Sequence, residues 1–294
     1  LGPLHLGHGG ARNSLRRRQC WPGYGRISAP PAHSPALPLD LSGRVVFVAG
    51  GGSAGPGWSI GRAACVTYAR LGASVCVADR DAASAEETTA LIHAEGGTAA
   101  TLVGDVADAA DVQRLFAEAR ERFGGAIDVL HHNVGIGKTG GPLETSVEDF
   151  DRIHSVNVNS LLLACQQVLP GMVERGRGSI LVTGSLASER GMAGNVGYVA
   201  SKHAVLGLAR AVALEAAPHG VRCNCIVPGF IETPMLDALP PDALATMAAA
   251  TPQGRTGKAG ELADVAAFLL SDAASHVTGQ SLAVDGGVLG TLRI

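Results

Sequence analysis

Several features are missing from this chain. No uninterrupted apolar run approaches the roughly 20 residues that a membrane-crossing helix needs, so no membrane partner is expected. Charge of one sign is lacking too. The 23 basic and 26 acidic residues leave a net charge of −3, so no polyelectrolyte field draws the chain to nucleic acid. Cysteine is sparse, six in 294 residues, which argues against a disulfide scaffold and for an intracellular, cytoplasmic protein. Acidic residues are absent before Asp40, although Arg12, Arg16, Arg17, Arg18 and Arg26 lie there among repeated Pro and Gly. That stretch has no helical or strand period and no apolar core of a secretory signal. Residues 1–39 are therefore expected to form a disordered N-terminal extension, with organelle targeting as the alternative.

Glycine is abundant. Its 40 residues follow no collagen-like period, so they mark tight turns and close backbone approaches, and a 46% hydrophobic content is enough for a sizeable core. From Asp40 onward apolar, β-branched runs alternate with helical patterns. The expected strands are Val45–Val48, Val75–Ala78, a run ending at Val103, Ile127–Leu130, Ser179–Val182, Val221–Val227 and Ser281–Val284. Between them lie helices, one capped by Asp108 and one opened by a Ser146/Asp149 capping box that reaches Pro170. This pattern predicts an α/β fold: a single Rossmann-type, doubly wound domain over residues 40–294. Its parallel sheet would have about seven strands, with helices on both faces. In such sheets ligands bind at the carboxyl ends of the strands, near the point where strand order reverses.

The first strand runs into Gly50-Gly-Gly-Ser-Ala-Gly-Pro-Gly-Trp-Ser-Ile-Gly61 and then a helix. Glycines allow close approach, and a helix start offers free N–H groups to a pyrophosphate. Gly50, Gly52, Ser53, Ser59, Ile60 and Gly61 are the candidate cradle for a dinucleotide. Asp79 ends the second strand, where a carboxylate accepts hydrogen bonds from the adenosine ribose hydroxyls and repels a 2′-phosphate. That favours NAD over NADP. Arg80, a cation able to hold such a phosphate, keeps NADP open.

Tyr198-Val-Ala-Ser-Lys202 places a phenol and an ammonium at i and i+4 on one helix face. A phenol titrating near pH 10 is a poor base at neutral pH unless a nearby cation stabilises the phenolate. Ser185 falls just beyond a strand end, where its hydroxyl reaches a substrate oxygen. No metal site is expected. Cys223 and Cys225 are expected to point to opposite faces of their strand, and His131-His132 reads as core or strand-end histidine.

With these pieces in place the sequence resembles the short-chain dehydrogenases/reductases. The resemblance spans about Leu41 to Gly287. It rests on the Gly50–Gly61 loop, Gly104-Asp105-Val106, His132-Asn133-Val134-Gly135, Val156-Asn157-Val158, Ser185, Tyr198-x-x-x-Lys202, Pro228-Gly229-Phe-Ile-Glu-Thr233, Thr278-Gly-Gln280 and Asp285-Gly-Gly287. It implies that Tyr198 is the general acid/base. Lys202 then supports the phenolate and the nicotinamide ribose, and Ser185 orients the substrate oxygen. Asn157 would position a proton-relay water, although a helix-interior Asn also serves as a bridge to neighbouring backbone. Asp105 and Val106 are assigned to adenine and Asn133 and Gly135 to the cofactor's flank. Pro228, Gly229, Ile231 and Thr233 are assigned to the nicotinamide end. The resemblance also implies a homotetramer or dimer.

The chain departs from the family pattern in three places. Ala49-Gly50 stands where the family has Thr-Gly, Ser59-Ile60-Gly61 follows extra residues including Pro56 and Trp58, and His132 replaces an Asn. Residues 234–256, with Met235, Leu236, Leu239, Leu244 and Met247, read as a substrate lid, or else as a helix hairpin packed on the body. Leu186, Met192, Val196, Met235 and Leu239 form the expected substrate wall, with Glu189 and Arg190 nearby. The function expected is hydride transfer between NAD(H) and a secondary alcohol or ketone. The alternatives are an NADPH-dependent ketoacyl-type reductase and a non-catalytic NAD-binding sensor or scaffold.

Overall fold

Five-to-eight-residue apolar runs form most of the frame of the computed structural model, which describes residues 39–234, 236, 239–240 and 242–291. The extension up to residue 38 and Met235 of the expected wall lie outside the described residues. In chain order the strands are β1 (Val45–Ala49), β2 (Ser74–Asp79), β3 (Thr98–Val103), β4 (Val129–His132), β5 (Gly178–Thr183), β6 (Val221–Pro228), β7 (Ile231–Glu232), β8 (Gly257–Lys258) and β9 (Ser281–Val284). Seven of them make one sheet in the order β3-β2-β1-β4-β5-β6-β9, every pair parallel. The short β7 and β8 pair separately through Ile231–Gly257 and Glu232–Lys258. The order reverses between β1 and β4, which locates the crevice for a ligand.

The helices are α1 (Ile60–Arg70), α2 (Ala82–Ala94), α3 (Ala109–Phe123), α4 (Val147–His154), α5 (Ser160–Glu174), α6 (Val196–Ala216), α7 (Ala243–Ala250) and α8 (Ala259–Leu270). Strand alternation divides the core into two layers. Phe47, Leu130, Ile180 and Val182 pack against α3, α5 and α6, with Phe47 stacked on Phe116 at 4.0 Å between ring centres. Val46, Val48, Val77 and Leu181 face α1, α2 and α8 on the other side. Burying strands on both faces is what makes their sequences continuously apolar.

Local expectations are corrected at β4 and along the helix from Ser146. β4 begins two residues later than its apolar run, because the Asp128 carboxylate accepts the Val45 N–H at 3.1 Å and occupies the bottom of the sheet. The helix from Ser146 continues past Pro170 to Glu174. Proline there removes the helical partner only of the Gln166 carbonyl, on an exposed residue. That helix is also interrupted by a π turn at Ser155–Asn159, between α4 and α5. Ser146 does cap α4, accepting from Asp149 N at 3.1 Å, but Asp149 does not return to the Ser146 N–H. Its carboxylate takes the Ser146 hydroxyl and the Lys138 ammonium instead. Among the described residues no helix is long and apolar enough to cross a membrane.

Candidate active site

The turn after β1 is built by what glycine omits. Gly50 has a left-handed φ of 79°, and a Cβ on Gly61 would lie 1.9 Å from the Gly50 carbonyl oxygen. The loop and the start of α1 therefore touch backbone to backbone. Ser59 caps α1 with its Oγ, which accepts from Arg62 N at 3.0 Å and donates to the Gly52 carbonyl at 2.6 Å. Asp79 closes the other side, one carboxylate oxygen accepting the Gly52 N–H at 2.9 Å and the other the Asp81 N–H at 3.1 Å. Ser84 of α2 clasps both backbone groups of Ser53. The Ser53 hydroxyl is buried without a partner among the described residues. Arg80 is exposed.

The loop after β4 carries the next group. Asn133 donates to the Gly50 carbonyl at 3.0 Å and accepts from the Thr183 hydroxyl at 2.9 Å. Asn157, buried in the π turn, accepts from Ile136 N at 2.8 Å and donates to the Ile136 carbonyl and to Ser201 Oγ, each at 2.9 Å. The bridging arrangement is thus present, and both amide protons are committed to it. Lys202 is buried, donates to the Thr183 carbonyl at 2.9 Å, and has no ion-pair partner among the described residues. Its ammonium passes over Gly135, where a Cβ would stand 3.0 Å from Nζ and 3.8 Å from Asn157 Oδ1. A side chain at Gly135 would press on the ammonium.

Tyr198 sits in the first turn of α6, with its ring against Gly137 and its centre 5.8 Å from Lys202 Nζ. Ser185 caps the 3-10 turn Leu186–Ser188, its Oγ accepting from Ala187 N at 3.2 Å. Ser185, Tyr198 and Lys202 line one cavity of about 280 Å³ together with Ser59, Ile60, Asn133, Gly135, Pro228, Gly229, Ile231 and Thr233. The start of α1 supplies Ser59 and Ile60, α6 supplies Tyr198 and Lys202, and the loops after β4, β5 and β6 supply Asn133, Gly135, Ser185 and Gly229. Gly229 lets that segment pass the Asp285 backbone, which a Cβ would approach to 2.5 Å. Asp105 and Val106 follow β3 outside this cavity's lining. Val106 packs in the core, and Asp105 lies 3.5 Å from the Arg152 guanidinium.

Some expectations fail. Leu186, Met192, Val196 and Leu239 do not line the cavity, whose apolar wall is Ala54, Phe230, Pro234 and Leu236. Met192 and Leu239 are exposed. Glu189 accepts from Ser281 and Arg190 donates to the Leu289 carbonyl, so both charges are engaged elsewhere. Cys223 and Cys225 share a face rather than opposing each other, because residues two apart on a strand point the same way. Both thiols are buried, and burial holds the Cys225 pKa up at about 11. Thr183, Ser201 and Ser84 were overlooked. The available signal was their position: Thr183 ends β5, and Ser201 lies inside the Tyr198–Lys202 pattern.

Comparisons with known proteins fit this geometry. A family model described as enoyl-(acyl carrier protein) reductase matches residues 55–289. A 2,5-dichloro-2,5-cyclohexadiene-1,4-diol dehydrogenase of Sphingobium indicum is 41% identical over 253 residues, covering 84% of this chain and 98% of that protein. A 7α-hydroxysteroid dehydrogenase, solved with NADH and 7-oxo glycochenodeoxycholic acid, superposes with a TM-score of 0.80 at 33% identity. That match covers 85% of this chain and 95% of the other. A gluconate 5-dehydrogenase of Burkholderia cenocepacia, solved with NADP and tartrate, has a TM-score of 0.80 at 31% identity, covering 86% and 98%.

Proposed function

This chain belongs to the short-chain dehydrogenase/reductase family, and from that membership we propose an NAD(H)-dependent oxidation of a secondary alcohol with Tyr198 as general acid/base. At the coarser level the protein is an oxidoreductase of CH–OH groups, interconverting an alcohol and a carbonyl. The observation that carries the finer reading is the convergence of Tyr198, Lys202 and Ser185 on one cavity at the sheet's switch point.

The residues fit a nicotinamide dinucleotide. Gly50 and Gly61 leave no side chain at the helix start, and the unpartnered Ser53 hydroxyl follows the residue that Asp79 anchors. When bound, the nicotinamide supplies or accepts the hydride. The Gly50–Gly61 turn and the N-terminus of α1 would hold the pyrophosphate, and Asp79 the adenosine ribose. An ionised Asp79 repels a 2′-phosphate, which supports NAD over NADP. Asp105 and Val106 are read as the adenine wall. Pro228, Gly229, Ile231 and Thr233 are read as the border of the nicotinamide.

For alcohol oxidation Tyr198 receives the hydroxyl proton while Ser185 donates to the same oxygen. Lys202 stabilises negative charge on the phenol oxygen. Asn157 fixes the loop that carries Gly135 and keeps one Oδ1 lone pair for a water shared with Lys202. The lining of Phe230, Pro234 and Leu236 suits a moderately hydrophobic, cyclic alcohol, in keeping with the cyclic diol named for the Sphingobium relative. Residues 234–256 would act as its lid. Their far end is tied to the body where Gln253 N donates to the Gly286 carbonyl. The reading includes assembly as a dimer or tetramer through the long helices α5 and α6, on which Leu162 and Leu214 are exposed.

The test is NAD+ reduction, followed by absorbance, across cyclic and linear secondary alcohols, with NADP+ and a ketoacyl thioester plus NADPH as parallel arms. Tyr198→Phe is expected to lower kcat by at least about 100-fold while NADH still binds. Retained turnover in that variant overturns the assignment, and NADH binding without turnover on any substrate favours the sensor reading.

A further inference from the structure

Among the buried titratable groups that the mechanism leaves unused, His131 has the longest reach. His131 lies on β4, completely buried, between the Tyr68 hydroxyl of α1 at 2.8 Å from Nδ1 and Thr183 Oγ1 at 2.9 Å from Nε2. Thr183 Oγ1 in turn donates to Asn133 Oδ1, and Asn133 Nδ2 donates to the Gly50 carbonyl. These four bonds run unbroken from the middle of the core to the first turn of the phosphate loop.

Proton counting fixes their direction. The Asn133 amide nitrogen only donates, so its Oδ1 is the acceptor facing Thr183. The single Thr183 hydroxyl proton goes to that oxygen, and the Thr183 oxygen must therefore accept from His131. That requires the tautomer with hydrogen on Nε2, which leaves Nδ1 bare to accept the Tyr68 hydroxyl proton. Every donor in the chain then points from Tyr68 towards Gly50. Burial keeps the imidazole neutral, with its pKa down at about 3, which preserves this one-way order.

The far end of the chain is the contact on which the loop depends. The Gly50 carbonyl accepts from Asn133 Nδ2 and lies against Gly61, where a Cβ would come within 1.9 Å of it. Thr183 has a second duty, since its backbone carbonyl receives the Lys202 ammonium. One residue thus joins the histidine to both the dinucleotide turn and the catalytic lysine.

We propose that His131 is a positioning residue for the dinucleotide: through Thr183 and Asn133 it sets the Gly50 carbonyl, and with it the turn that holds the pyrophosphate. The inference rests on the reading of this cavity as a nicotinamide dinucleotide site. It assigns His131 a task beyond filling the core, and it does not place the imidazole against any reacting atom.

The experiment measures NADH and NADPH affinity by nucleotide fluorescence, together with KM for the dinucleotide and kcat, in the full-length protein. His131→Val removes the donor to Thr183. It is expected to raise the NADH Kd and the dinucleotide KM together by roughly three- to tenfold, the net effect of one lost hydrogen bond. The alcohol KM stays unchanged. His131→Gln keeps an amide donor near the Nε2 position and is expected to recover most of the affinity, which a purely space-filling role does not predict. Should His131→Val fail to fold because the Tyr68 hydroxyl is left unpaired, the double variant Tyr68→Phe/His131→Val removes that orphan and carries the same expectation. Folded variants with native Kd and KM overturn the proposal while the function reading stands. Absence of any dinucleotide binding by the native protein overturns both.

Discussion

Asn157 clasps both backbone groups of Ile136, accepting its N–H at 2.8 Å and donating to its carbonyl at 2.9 Å. A π turn puts it there by turning one extra residue of the α4–α5 helix towards the loop after β4. Asn157→Ala leaves two backbone groups without their partner and removes the bond that the Ser201 hydroxyl accepts, while its own donation to the Tyr198 carbonyl remains. The expected loss is about 2–4 kcal/mol of unfolding free energy, read from urea denaturation midpoints. Turnover should fall further than stability alone explains, because the freed loop carries Gly135 beneath Lys202.

Gly135 makes the second prediction. A methyl group there meets Lys202 Nζ at 3.0 Å, so the ammonium or the loop must give by a few tenths of an ångström, which strains the bond to the Thr183 carbonyl. Either shift misplaces the cation beside Tyr198. Gly135→Ala is expected to reduce kcat/KM by about 10- to 100-fold in the alcohol-oxidation assay, with a melting temperature close to that of the native protein.

The sheet was legible because strands buried on both faces must be apolar throughout, as Val45-Val-Phe-Val48 is. Part of the site was legible because Asp79 and Ser185 sit at strand ends, where the alternation of elements places them, and because Tyr198 and Lys202 are four apart on one helix. What escaped depended on contacts between distant segments. Nothing in Ser155–Asn159 announces a π turn, which exists because Asn157 has Ile136 to bind. Of the expected wall, Leu186, Met192 and Val196 lie close in sequence to Ser185 and Tyr198, yet the fold leaves them outside the cavity's lining. The segment after β6 instead supplies Phe230, Pro234 and Leu236. The alternation that places the core also puts Cys223 and Cys225, two apart, on one face.

Two neutral histidines give stability a pH dependence. Burial pushes His131 and His132 down to about 3 from an ordinary 6.5, and for His132 the Lys202 charge adds to the effect. Because the folded-state values are depressed, the unfolded chain binds more protons below pH 6.5. This stabilisation is full above that point and is lost as pH falls towards 3. Each histidine adds up to about 1.4 kcal/mol per pH unit to the slope. Unfolding free energies between pH 6.5 and 5 should fall accordingly, and His132→Asn should halve the slope. A flat profile in that window would sink this account.

Asp79 is the remaining case, since one carboxylate does two jobs. It anchors the Gly52 N–H at 2.9 Å and, by its charge, disfavours a 2′-phosphate beside the exposed Arg80. Deleting the side chain would confuse the two. Asp79→Asn keeps an amide oxygen for Gly52 while removing the charge, so the loop stays in place and only the electrostatics change. Like charges brought together cost several kcal/mol, and relieving that repulsion should raise the ratio of kcat/KM with NADP+ to that with NAD+ by at least about tenfold. The check is to measure both coenzymes on one alcohol, in the native protein and the variant. An unchanged ratio would mean that Asp79 serves the loop alone, and that coenzyme choice lies with residues other than this carboxylate.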